Sequence, residues 1–336
     1  MTKMNTLAPV IVFNYNRLDH SRQVWEALSH NELASQTDLY LYCDGPKVNA
    51  SEEMRQRVIS VHDEAKQFAI RAKRDGVFKD VFVICSKHNK GLRSSIISGT
   101  TEVIQKYGRI IVLEDDLVTS QYFLNYMNNA LEKYMTYRGV FSISAQSCLN
   151  PKEFPTDYQF DVYTCQTHLP WGWATWEDRW NLVDWDIDKK IFPTLNEYPY
   201  IRDAFTRGGE DLYYHSLLDR INGLDVWSIC FSLTHFIHHA VSIMPVIPYV
   251  HNIGFDGTGE NCGNQVNSIL GHNYYVDAKS NPRLLDIVYE DRRIINMWYS
   301  GSVMHRRPFF KRIINRIGCI LTGKSCYIPK GEVYKV

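Results

Sequence analysis

Residues 109–116 read RIIVLEDD: Arg109, four apolar residues, then Glu114, Asp115 and Asp116. A short apolar run bounded by charge reads as a buried strand, here ending in three carboxylates. The same pattern recurs toward the N-terminus. APVIVF at 8–13, LYLYC at 39–43 and VFVIC at 81–85 are apolar strand patterns, and each is followed by polar residues. Helical patterns separate them, at 19–29, at 51–74 and at 92–107. Strands alternating with helices imply right-handed crossovers and an α/β fold of Rossmann type, a mostly parallel sheet flanked by helices. Ligands of such sheets bind outside the carboxyl ends of the strands. The residues to inspect are therefore Asn14, Asn16 and Arg17, then Asp44, then His88 and Asn89, and finally the acidic triplet.

Downstream, 121–137 reads as a helix and 140–144 as a strand. An irregular stretch at 150–167 leads into the aromatic cluster Trp171-Gly172-Trp173-Ala174-Thr175-Trp176. A helix is expected at 211–221, entered through Gly208-Gly209-Glu210, and a charged helix at 284–299. The Gly- and Asn-rich segment 252–263 reads as a mobile loop. His235, His238 and His239 sit in an apolar run that reads as buried strand, so they are expected to be packed rather than to ligate zinc. Residues 1–298 are expected to form a single domain of two halves, 1–116 and 117–298. The remaining 299–336 form a basic tail, in which residues 309, 310, 313, 314 and 317 share one helical face. That pattern suits a peripheral contact with an anionic membrane surface; a helix docked on the domain is the other reading.

Composition narrows the classes. The chain has 336 residues, 45% of them hydrophobic and 13% aromatic, so it can bury a sizeable core and is not disordered. Lys plus Arg number 37 and Asp plus Glu number 37, a balance that disfavours a nucleic-acid binder. No apolar run is long enough for a membrane span, and the N-terminus does not read as a signal peptide. The eight cysteines form no C-x-x-C pair and read as reduced, packed thiols of a cytoplasmic protein. P-loop, dinucleotide-binding and hydrolase-elbow motifs do not occur.

Three adjacent carboxylates repel one another unless water screens them or a cation is shared. Oxygen ligands of this kind select hard cations, Mn²⁺ or Mg²⁺, and a metal bound with a diphosphate is one reading. An acidic turn is the other. A departing diphosphate would also need cations, which Arg17 and Arg93 could supply.

The order Asn14-Tyr15-Asn16-Arg17, Cys43-Asp44-Gly45, Asn89-Lys90-Gly91-Leu92-Arg93, then Val112-Leu113-Glu114-Asp115-Asp116-Leu117 resembles GT-A glycosyltransferases over roughly residues 8–260. It is particularly similar to bacterial surface-polysaccharide sugar transferases and the N-acetylglucosaminyltransferase I group. That likeness makes 1–116 the nucleotide-sugar half and 117–298 the acceptor half. The resemblance implies that Asp116 ligates Mn²⁺ between donor phosphates, with Glu114 and Asp115 beside the nucleotide-sugar. It further implies that Asp44 binds uracil, that Arg17 contacts the nucleotide and that Arg93 lies near the donor. The acidic pair Glu210-Asp211 would include the base that deprotonates the acceptor hydroxyl, Asp211 first, although Gly209 stands where the family carries an aromatic residue. Trp171 and Trp173 would stack on sugar, or else form core. His251 would be a second metal ligand. The implied activity is metal-dependent, inverting transfer from a nucleotide-sugar donor, UDP-linked, to a glycan or lipid-linked acceptor at the inner face of a bacterial membrane. The rivals are a nucleotidyltransferase and a non-catalytic glycan-binding module.

Overall fold

The computed structural model describes residues 7–208, 212, 226–256, 277–300, 313 and 317. Strands β1 (Val10–Asn14), β2 (Asp38–Cys43), β3 (Asp80–Cys85) and β4 (Arg109–Glu114) alternate with helices α1 (Leu18–Ser29), α2 (Glu52–Arg74) and α3 (Leu92–Tyr107). After them come β5 (Leu117–Thr119), α4 (Phe123–Tyr134), β6 (Val140–Ser144), β7 (Val162–Cys165) and β8 (Trp173–Trp176). Helices α5 (Glu177–Trp180), α6 (Ile187–Glu197), α7 (Pro199–Phe205) and α8 (Trp227–Ile237) follow, then β9 (Val241–Pro245), β10 (Val250–Asn252) and α9 (Arg292–Ser300).

Local chemistry sets these boundaries. Ser51 caps α2 by accepting from the Met54 amide at 3.2 Å, with Glu52 and Glu53 in the first turn and Arg71, Lys73 and Arg74 in the last. Gly108 closes α3 at φ 77°, a left-handed position that glycine adopts without strain.

The strand order of the main sheet is β3-β2-β1-β4-β8-β6-β9-β7, and β5 pairs with β10 in a separate ribbon. The β1–β2, β2–β3 and β1–β4 pairs are parallel, as expected. Beyond β4 the expectation of a mostly parallel sheet fails. β8 runs antiparallel to both β4 and β6, and β7 antiparallel to β9, which makes the sheet mixed. The four-residue WATW segment carries this change, inserting as a strand between β4 and β6.

Alternation along β1 loads both faces of the sheet. Val10 and Val12 pack with Val24, Trp25 and Leu28 of α1. Ile11 and Phe13 pack on the opposite face with Ile96 and Val103 of α3, Trp180 and Phe231. The histidine segment is helical and not a strand: α8 buries Trp227 and every residue from Ile229 to His235. A helix apolar on all sides has no 3.6-residue stripe to betray it. The expected helix at 284–299 starts only at Arg292, where Asp291 Oδ1 accepts from the Arg293 amide at 2.9 Å.

His235 is fully buried. Its Nδ1–H donates to the Phe231 carbonyl at 2.7 Å, and Nε2 accepts from Ser142 and Ser242 at 3.1 and 3.2 Å. Burial pushes His235 down to about 4, and burial together with His235 holds His168 well below the usual histidine range. Between those values and the ordinary histidine pKa the unfolded chain binds protons that the folded chain does not. Stability is therefore lost as pH falls from about 6.5 toward 4, with each histidine adding up to about 1.4 kcal/mol per pH unit. Carboxylates raised by burial act in the opposite sense over this range, so the histidine effect is read from the difference between wild type and His235→Gln. The urea midpoint gap at pH 7 should shrink at pH 6 and again at pH 5, and a constant gap contradicts this account.

Candidate active site

The chain proceeds from β1 outward to β2 and β3, then returns to place β4 on the other side of β1. The carboxyl ends of β1 and β4 thus flank a topological switch point, where open α/β sheets leave a crevice. Arg17 follows β1, and Asp115 and Asp116 follow β4.

These three side chains meet. Arg17 Nη2 forms an ion pair with Asp115 Oδ1 and a second, at 2.8 Å, with Asp116 Oδ2. The Tyr15 amide donates to Asp115 Oδ2 at 3.4 Å. Asp115 and Asp116 are only 5% and 8% exposed, so their charge requires this compensation. Burial weakens the Arg17 charge, but Asp115 and Asp116 outweigh it and raise the guanidinium pKa. Burial, then the neighbouring Asp116 and Asp115, push Glu114 up to about 8. Burial also raises Asp115, with Arg17 opposing the shift. Two carboxylates thus face one guanidinium, which leaves a surplus of carboxylate over cation.

That surplus and an all-oxygen donor set suit a hard divalent cation. Among the described residues no group of three or more His, Cys, Asp or Glu is arranged to hold a metal ion. A cation at Asp116 would thus complete its coordination with phosphate oxygens and water.

The β5–β10 ribbon seals the acids from below. The Ile253 amide donates to the Asp116 carbonyl at 2.9 Å, and the Gly254 amide to Asn252 Oδ1 at 2.7 Å. A Cβ at Gly254 would lie 2.4 Å from Asp116 Oδ2 and 3.1 Å from Asn252 Oδ1, so only glycine lets the backbone come this close. Asn252 and Gly254 open the Gly- and Asn-rich segment 252–263, which was expected near the site as a mobile loop; Asn252 instead ends β10. His251 pairs with Val118 in this ribbon, and strand alternation puts its side chain on the face opposite Asn252. Asp116 Oδ2 and Asn252 Oδ1 both border Gly254. Burial lowers the His251 pKa.

Asp44 departs from its expected role. Its Oδ1 accepts from the Gly45 and Lys90 amides at 2.8 and 2.9 Å. Its Oδ2 accepts from Asn89 Nδ2 at 2.9 Å and from the Lys90 and Gly91 amides at 3.1 Å each. Those bonds saturate the carboxylate and fix the turn that enters α3, leaving it no lone pair for a uracil. The adjacent Gly45 is enforced by contact, since a Cβ there would fall 2.6 Å from the His88 backbone.

Arg93 also serves the scaffold. Its guanidinium donates to the Trp185 carbonyl and, at 3.4 Å, to the Val226 carbonyl, tying α3 to the segments before α6 and α8. Trp173 is 1% exposed, with ring centroids 5.6 Å from Trp180 and 5.3 Å from Trp227. It is core and offers no face to a sugar. Trp173→Ala should cost about 3–5 kcal/mol of stability in denaturant melts; a loss of sugar binding at unchanged stability would contradict this placement. Trp171 is half-buried and meets Phe255 edge to face at 6.0 Å, beside the Asn252–Gly254 turn. Glu210 and Asp211 lie outside the described residues, as do 257–263 of the expected loop.

No protein-family model matches the chain. No curated protein matches it either. Among solved structures it is similar to the crystal structure of the glycosyltransferase GlyE from Streptococcus pneumoniae TIGR4, at 11% identity and a TM-score of 0.37, covering 89% of this chain and 61% of that one. The apo form of the same glycosyltransferase gives 12% identity and a TM-score of 0.31, covering 88% and 60%. The chain thus spans less than two thirds of the length of these neighbours. Overlaps this loose do not assign an activity.

Proposed function

We propose that the chain is a GT-A-type glycosyltransferase that moves a hexosyl or N-acetylhexosaminyl group from a nucleoside-diphosphate donor to a hydroxyl of a glycan or lipid-linked acceptor. The observation that supports this most is the meeting of Arg17 with Asp115 and Asp116 at the switch point between β1 and β4. A diphosphate needs both a cation and a carboxylate-held metal, and these residues can supply them from adjacent strand ends. In this reading Asp116 would hold Mn²⁺ or Mg²⁺, which would supply positive charge to the diphosphate. Arg17 leaves the carboxylates and donates to the phosphate oxygens. Asp115 contacts the ribose or sugar, with Glu114 beside the nucleotide-sugar. Trp171 is the aromatic residue left to border a sugar.

The base for an inverting displacement is assigned to Asp211 or Glu210 on the resemblance alone; a uracil on the donor would have to be held by a residue other than Asp44, whose carboxylate is already saturated. A place in bacterial surface-polysaccharide synthesis at the inner membrane face, with residues 1–298 acting as one domain, belongs to the same proposal. No helix among the described residues is long and apolar enough to cross a membrane. Ile313 and Ile317 are helical and exposed, which supports a peripheral contact through the tail.

Incubating the protein with a panel of nucleotide-sugars, with and without EDTA, tests the reaction class. Metal-dependent release of a nucleoside diphosphate from one donor is expected. Pyrophosphate release from a nucleoside triphosphate would favour a nucleotidyltransferase instead, and glycan binding without nucleotide affinity a glycan-binding module.

A further inference from the structure

The cysteines expected to be packed thiols include one pair of direct strand neighbours. Cys43 ends β2 and Cys85 ends β3, and the two are direct partners in the parallel ladder. Neighbouring strands lie about 4.8 Å apart, so paired Cα atoms fall inside the 4.4–6.8 Å range of disulfides. The ladder continues past them, with the Ser86 amide donating to the Cys43 carbonyl at 2.9 Å, so the backbone is held in register on both sides of the pair. Cys43 is 1% exposed, whereas Cys85 is half-buried on β3, the edge strand of the sheet. His62 of α2 completes the cluster: its Nε2–H donates to the Asp44 carbonyl at 2.8 Å, and its ring interacts with Cys85.

We propose that Cys43 and Cys85 form an oxidisable dithiol, in which Cys85 reacts first with hydrogen peroxide and Cys43 resolves the product to a disulfide. The Cys85 thiolate attacks one peroxide oxygen; the O–O bond breaks, hydroxide leaves and Cys85 becomes a sulfenic acid. The Cys43 thiol then attacks the Cys85 sulfur, the S–O bond breaks and water departs. Two thiols are oxidised by two electrons, and one peroxide is reduced to two waters.

The electrostatics of the cluster favour this order. The hydrogen bond from Cys43 lowers the Cys85 thiol to about 5, with His62 and then Lys66 assisting and burial opposing. The same hydrogen bond, with burial and the charge of Asp115, raises Cys43, so Cys43 keeps the proton. By contrast, burial pushes Cys230 up to about 12. Thiolate fraction and nucleophilicity pull in opposite directions as a thiol pKa falls, so the distinguishing property is persistence at low pH rather than a high rate at pH 7. The switch would act one residue from Asp44, whose carboxylate holds the turn before α3. It stands independently of the glycosyl-transfer reading.

The test uses the full-length protein and two measurements. Between pH 7 and 6, iodoacetamide alkylation of Cys85 should change less than about twofold, whereas an ordinary thiol slows about tenfold. Stoichiometric hydrogen peroxide at pH 6, followed by N-ethylmaleimide and digestion, should yield the Cys43 peptide joined to the Cys85 peptide. In Cys43→Ser the same treatment should leave a dimedone-reactive sulfenic acid on Cys85. A tenfold fall in Cys85 alkylation, or peroxide consumption with no Cys43–Cys85 linkage in the folded wild-type protein, would overturn the proposal.

Discussion

Replacing Asp116 with alanine should lower sugar transfer by about 10²–10³-fold while leaving the protein folded. The carboxylate stands at the end of β4, and its neighbour Asp115 keeps its own ion pair with Arg17. Removing Asp116 therefore takes away the oxygen available to a metal without orphaning the guanidinium. The surplus of carboxylate over cation is also removed, so the attraction for a second cation is lost. The measurement is turnover with saturating donor, beside a circular dichroism spectrum that matches wild type. Gly254→Ala should act in the same direction and more weakly, because its Cβ would push on Asp116 Oδ2. Wild-type turnover in Asp116→Ala would remove the metal from the account.

Arg17→Ala should have the largest effect on stability. Two carboxylates, both under a tenth exposed, would lose their only cation among the described contacts. Breaking a buried pair from one side costs about 3–5 kcal/mol. Protonation can relieve part of this, since burial already raises Asp115. A carboxylate whose folded pKa lies above its unfolded one loses stability as pH rises, so the defect should be greater at pH 8 than at pH 6. Divalent cations should restore the melting temperature of the variant more than they raise that of wild type, because the metal replaces the missing charge. Arg17→Lys should recover part of the stability, since a point charge cannot bridge both acids as a guanidinium does. An Arg17→Ala protein that melts like wild type and ignores metal would show that the cluster is not held by charge.

Legibility in the sequence followed locality. The expected bounds of α3 and β6 are those observed, because an apolar pattern bounded by glycine or charge is a local signal. The Arg17 and acidic-triplet positions were legible because both stand at strand ends, where chain order alone locates them. Three things were not. The antiparallel β8 is four residues long and half aromatic, and its tryptophans read equally well as a ligand surface. The wholly buried α8 lacks the stripe that marks a helix. Asp44 was read as a ligand because its partners, Asn89, Lys90 and Gly91, are more than 40 residues away in sequence and are placed beside it only by the β2–β3 pairing. A free carboxylate and a capping carboxylate look alike until the fold supplies the donors.

The most direct test is calorimetric titration of the full-length protein with UDP, GDP and dTDP, each with and without Mn²⁺. The account predicts that one nucleotide binds, that binding needs Mn²⁺, and that Asp116→Ala abolishes it. Failure of all three nucleotides to bind a folded protein with metal present would contradict a nucleoside-diphosphate site between β1 and β4.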